Sequence, residues 1–139
     1  MGGPGDPRFD AYATIVHLGA DGRARPAAWT PDVFRRLATG GRDRVVGAKH
    51  GAVPADFHAD EWEMHPAGDE VLYLLTGALD VVLDEPGGER TVELRAGQGC
   101  LVPQGIWHRL ILGRPGDLLF ITPAHGTRHR PVGAAAPGG

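Results

Sequence analysis

From Arg44 onward the chain is a succession of short apolar and β-branched runs, each cut off by glycine, proline or an acidic turn. The runs 44–49, 54–65, 70–76, 78–84, 89–95, 99–102, 106–112 and 117–122 predict strands. Asp84-Glu85-Pro86-Gly87-Gly88-Glu89 reads as a hairpin loop, while Ala96-Gly97 and Gly113-Arg114-Pro115-Gly116 mark further corners. Upstream, Tyr12 to Leu18 predicts a first strand that Gly19-Ala20-Asp21-Gly22 stops. Thr30-Pro31-Asp32 has the order of a helix start, and Val33, Phe34 and Leu37 supply one apolar face before Gly40-Gly41. The expected fold is all-β, a sandwich or barrel of short strands with one short helix at about 31–38. The barrel domain is expected over 11–130, with Gly/Pro/Ala-rich flexible tails at 1–10 and 131–139.

Composition narrows the picture. With 139 residues there is room for one core, and 42% hydrophobic residues beside 22 Gly and 12 Pro fit a turn-rich β protein rather than disorder. A net charge of -3 gives no footprint for nucleic acid. No apolar run approaches the about 18 residues of a membrane span, and the N-terminus lacks a basic, apolar leader. Cys100 has no second cysteine to pair with, which fits a reducing compartment, so the expectation is a cytoplasmic protein. Open sheet edges and outward Trp and Leu residues predict a homodimer, with the Tyr12 to Leu18 strand pairing with a partner or capping an edge.

The chemistry lies in two segments. In a strand, residues two apart share a face, so Glu63 and His65 point one way and Met64 the other. Pro66 to Asp69 can turn the chain and start the next strand at Glu70. Pro103-x-Gly105 is a tight turn that opens the strand carrying His108. If those strands are neighbours, Glu63, His65, Glu70 and His108 converge on one interior point, where imidazole and carboxylate suit a divalent first-row metal.

These segments resemble the two motifs of the cupin superfamily. The second motif, Gly, five residues, Pro-x-Gly, two residues, His, three residues, Asn, is matched at Gly97, Pro103, Gly105 and His108, with Leu112 in place of Asn. The first, His-x-His, three or four residues, Glu, six residues, Gly, is matched at His65, Glu70 and Gly77, with Glu63 replacing the leading His. The resemblance implies a cupin-type double-stranded β-helix, an antiparallel jelly-roll barrel of six to eight strands, often dimeric, with a metal in its mouth. Two histidines and two glutamates neutralise a divalent ion and favour Fe²⁺, Mn²⁺, Zn²⁺ or Co²⁺ over Cu⁺. Three readings of Glu63 stay open: a fourth ligand; a catalytic base beside a triad of His65, Glu70 and His108; or an acid/base in a site without metal.

Other polar and aromatic residues are expected to be structural. Cys100 reads as a small buried hydrophobe and Tyr73 as facing away from the metal. Trp62, Met64 and Trp107 are expected to pack between sheets or at a dimer seam. His125 and His129 sit four apart among Gly126, Pro123 and Pro131, which opposes a helix. A solvated tail, or one packed across the barrel, is expected there. Neither they nor His17, His50 and His58 are assigned a ligand role. Two functions from different classes fit. One is a metalloenzyme acting on a small polar or aromatic substrate by dioxygenase, decarboxylase, lyase, isomerase or cyclase chemistry. The other is a non-catalytic metal- or small-ligand-binding module, a sensor or store.

Overall fold

A computed structural model describes residues 5–37 and 40–133. The outer parts of both expected tails (1–4 and 134–139) and Ala38, the expected last helical residue, lie outside the described residues.

Eleven strands, counted among the described residues, form two antiparallel sheets that face each other as a jelly-roll sandwich. The six-stranded sheet contains β1 (Thr14–Leu18), β2 (Ala24–Ala28), β3 (Arg44–Gly51), β5 (Glu70–Leu74), β8 (Gly99–Val102) and β10 (Gly116–Thr122). Its order is β2-β1-β3-β10-β5-β8. The five-stranded sheet contains β4 (Glu61–Met64), β6 (Ala78–Glu85), β7 (Gly88–Arg95), β9 (Trp107–Arg114) and β11 (Arg128–Pro131). Its order is β11-β4-β9-β6-β7. One short helix, α1 (Val33–Leu37), packs Val33, Phe34 and Leu37 against the core. Leu72, Leu74, Leu79, Val81, Leu83, Val102 and Leu118 fill the space between the sheets. No helix among the described residues is long and apolar enough to cross a membrane.

Two expectations are corrected, and a third is met in one of its alternatives. The run 54–65 is not one strand. Pro54–Phe57 forms a 3₁₀ turn, because the Asp56 carboxylate accepts the amides of Ala52 and Val53 at 2.8 and 3.1 Å, and β4 begins only at Glu61. β2 and β11 were not expected as strands. Both are edge strands that carry Pro and Arg, Pro26 in one and Pro131 in the other, and an edge tolerates the missing donor that a central strand would not. β1 lies between β2 and β3, so it caps β3 and has no free edge of its own to offer.

From β3 onward the chain passes between the sheets at nearly every turn, and the two motifs mark these passages. Gly77 makes the step from β5 to β6 at φ +89, and Gly105 the step from β8 to β9 at φ +78, both in the left-handed region that disfavours side chains. At Gly77 space is also short. A Cβ there would stand 2.6 Å from the carbonyl oxygen of Pro115 and 2.8 Å from that of Arg114, on the β9–β10 passage. Gly77→Ala is therefore expected to destabilise the protein by about 2 kcal/mol or more, read as a lower urea midpoint. An unchanged midpoint would show that the passage is not under this constraint.

Candidate metal centre

The two motif turns are bonded to each other. Gln104 donates its amide to Asp69 Oδ1 at 2.8 Å and its side chain to the Pro66 carbonyl at 2.7 Å, and the Gly105 amide reaches the His65 carbonyl at 3.0 Å. This clamp brings β9 beside β4 with Glu63 opposite His108. Glu70 comes from the facing sheet, at the head of β5, so the cluster bridges both layers.

The structure brings all four sequence-derived residues together: one ligand atom from each of Glu63, His65, Glu70 and His108 lies within 4.8 Å of the others. His65 Nε2 is 2.9 Å from Glu63 Oε1 and 3.2 Å from Glu70 Oε2; His108 Nε2 is 3.1 Å from Glu70 Oε1 and 3.8 Å from Glu63 Oε1. Yet His65 Nε2 and Glu70 Oε1, both buried, have no hydrogen-bond partner of acceptable direction. Atoms this close that are not aimed at one another surround a common point, as donors around a cation do. Two carboxylates and two neutral imidazoles carry the charge that a divalent ion cancels. The four-residue cluster thus suits a divalent metal, and its donors are all nitrogen and oxygen.

Second partners orient the donors. His65 Nδ1 meets Thr127 Oγ1 at 2.8 Å, and Thr122 Oγ1 donates to Glu70 Oε2 at 2.6 Å. Glu63 Oε2 meets His129 Nε2 at 2.8 Å. Burial by itself would lift both carboxylates. The hydrogen bond from His129 and the nearness of the His65 imidazole to Glu63, and the nearness of His108 and His65 to Glu70, instead hold both below the ordinary range. Burial likewise opposes charge on His65, but Glu63 and Glu70 outweigh it and raise the imidazole to about 9.

Thr127 and His129 were missed as functional residues. The segment was weighed for a helix, where a spacing of four would matter. Its useful signal is a spacing of two, which puts Thr127 and His129 on one face of a strand. β11 pairs with β4 in the register His129↔Glu63, and Arg130 pins it from outside. That guanidinium lies 5.6 Å from the Trp62 ring and 4.5 Å from the Trp107 ring and pairs with Asp84 at 2.9 Å. The two tryptophans therefore pack on the outer face of the sheet under arginine, not between the sheets. Cys100 belongs to the core, and burial raises its thiol. Tyr73 faces outward, as expected. His17 and His50 are paired with Asp43 and Asp117, and His58 borders the cavity at a left-handed φ of 52.

A cavity of about 730 Å³ opens onto the cluster, walled by Trp29, Phe34, Phe57, Leu110, Leu118 and Phe120. A family model described as a cupin domain matches residues 52–122, just over half of the 139. The chain belongs to the cupin superfamily. Comparison with curated proteins gives no significant match. Among solved structures, Co(II) HppE in complex with substrate aligns at 16% identity and TM-score 0.47, over 57% of this cupin and 44% of that chain. A cupin-2 domain containing protein from Shewanella frigidimarina aligns at 20% and 0.42 over 58% and 69%. A mutant oxalate decarboxylase of Bacillus subtilis aligns at 20% and 0.44 over 65% and 23%. The cupin thus spans less than half the length of the first of these chains. Thr127, His129 and the aromatic wall at Trp29 and Phe34 lie outside the matched segment.

The raised His65 sets a pH dependence. An imidazole with a folded pKa near 9 against 6.5 contributes stability that is complete below pH 6.5 and is lost as pH rises through 9. The melting temperature of chelator-treated cupin should fall across that window. Because a metal must displace this proton, Co²⁺ affinity should rise there by up to about tenfold per pH unit. A flat melting temperature together with a pH-independent Co²⁺ affinity would contradict the assignment.

Proposed function

We propose that this cupin is a metal-dependent enzyme acting on a small molecule held in its barrel. The observation that carries the reading is the placement of the cluster. It is buried on the protein side, yet it forms part of the wall of a cavity large enough for a substrate. A purely structural metal site is closed by its ligands, whereas a catalytic one keeps a position facing substrate.

His65, Glu70 and His108 form the inner donor set, each nearly fully buried. Glu63 is the most exposed of the four, at 36%, and is the fourth donor through Oε1. Its Oε2 is held by His129, both residues border the cavity, and this carboxylate is the acid/base group next to the substrate. The metal, Fe²⁺, Mn²⁺, Zn²⁺ or Co²⁺, would supply Lewis-acid polarisation of a substrate oxygen. Thr122 and Thr127 fix the orientation of Glu70 and His65, so the site keeps its geometry while the cavity fills and empties. Phe57, Phe120 and Leu110 exclude water from its inner side.

The wild type should bind one divalent ion per chain, measured by elemental analysis. Glu70→Ala and His108→Ala should lose it, while Glu63→Ala should keep it with affinity reduced about ten- to a hundredfold. Adding azide to the Co²⁺ form should change its visible spectrum, because one coordination position faces the cavity. A bound ion whose spectrum ignores azide would mark a closed site and contradict the enzymatic reading.

A further inference from the structure

The cavity has a second pole, set by Lys49. In β3, Val45, Gly47 and Lys49 share a face, and their partners across the ladder are Thr122, Phe120 and Leu118 of β10. Thr122 touches Glu70, and Phe120 and Leu118 belong to the buried core and line the cavity. Lys49 therefore points into the barrel rather than out of it, on the opposite parity from the exposed His50.

A lysine on an inward face needs a partner, and none of the described residues pairs with it. Among the described residues Lys49 is in no ion pair, and the Phe57 ring lies with its centroid 6.0 Å from Nζ. The acids that act on it are Asp56 and Glu63. Asp56 spends its carboxylate on the amides of Ala52 and Val53, and Glu63 spends its own on His65 and His129. The other cations bordering the cavity are placed differently. Arg35 is exposed on α1, and Arg109 bonds the Ala59 carbonyl at 3.3 Å and lies over Trp62. A half-buried ammonium facing an apolar cavity is best satisfied by an anion that arrives with the ligand.

The register also sets a length. Four residues of strand separate the Thr122 layer, next to the metal cluster, from the Leu118–Lys49 layer, roughly 13 Å along the barrel. The lysine side chain shortens that gap to about the length of one ring with a short arm. The wall between the poles is aromatic. Phe120, Trp29 and Phe34 pack edge-on or tilted with centroids 5.8 Å apart, and Gly47 leaves room for them, since a Cβ there would stand 2.8 Å from Phe120.

We propose that the ligand of this cavity is a small organic acid with an aromatic or similarly flat apolar body, its carboxylate paired with Lys49 and its other end presented to the His/Glu cluster. This names the substrate class of the enzyme proposed above and rests on that reading for the role of the cluster. It makes Lys49 a specificity-determining residue, placed outside the matched cupin segment.

The test uses the full chain, both Zn²⁺-loaded and metal-free, with the metal content of every sample measured. Benzoate, phenylacetate and 3-phenylpropionate are titrated calorimetrically against their amides. At least one acid should bind about tenfold or more tighter than its amide. That preference should vanish in Lys49→Met and Lys49→Gln, persist in Lys49→Arg, and leave metal content unchanged throughout. Equal binding of acids and amides, a preference that survives both neutral variants, or no binding of any acid at millimolar concentration would overturn the proposal. A preference that survives in the neutral variants would assign the carboxylate to the metal. A wild type without metal would refute the enzymatic reading. If its acid preference still depended on Lys49, the anion site would stand on its own.

Discussion

Glu70 places a carboxylate where the barrel offers it no water. At 4% exposure, and with Glu63 beside the same two imidazoles, it can stay ionised only if positive charge is brought to it. Much of the architecture around the site serves that requirement. The facing sheets contribute one carboxylate each, the clamp between residues 66–69 and 103–105 fixes the distance, and Thr127, Thr122 and His129 give His65, Glu70 and Glu63 one outer hydrogen bond each. A proton on His65 meets part of the demand, and a divalent cation meets all of it. That is why the cluster suits a divalent metal: His65 Nε2 and Glu70 Oε1 lie close to opposite partners without a directed hydrogen bond to any of them.

Strand parity made most of the site legible before the fold was known. Glu63 and His65 lie two apart, and a turn from Pro66 to Asp69 can bring Glu70 back close to His65, which it does from the facing sheet rather than from a neighbouring strand. His108 was legible because Pro103-x-Gly105 starts its strand abruptly. The central strands were equally readable, since burial on one face enforces an apolar pattern: β10 runs over Gly116–Thr122, where 117–122 was expected. What escaped was at the edges. β2 and β11 bury little, so no alternation is imposed on Ala24–Ala28 or Arg128–Pro131, and Pro and Arg there discourage a strand reading. His129 was lost with β11, because its role comes from the pairing His129↔Glu63 across 66 residues of sequence. Lys49 was lost differently: its parity was readable, but the direction of the barrel interior was not.

The division between family and individual follows from this. The matched segment 52–122 holds the four cluster residues and the turns that clamp them. The chain outside it adds Lys49 from β3, Trp29 and Phe34 around α1, and Thr127 and His129 around β11 to a cavity wall that Phe57, Leu110, Leu118 and Phe120 of the matched segment share. One fold supports many chemistries through what lines its cavity, and the flat acid proposed for this cupin rests on that lining.

X-ray absorption of the Co²⁺-loaded protein bears most directly on the central claim. Four protein donors of nitrogen and oxygen, at about 2.0–2.2 Å with the outer-shell scattering of two imidazoles, are the predicted result, and the two-imidazole signal should persist in Glu63→Ala. Sulfur scattering, which would implicate Cys100, or a first shell without imidazole would contradict the account.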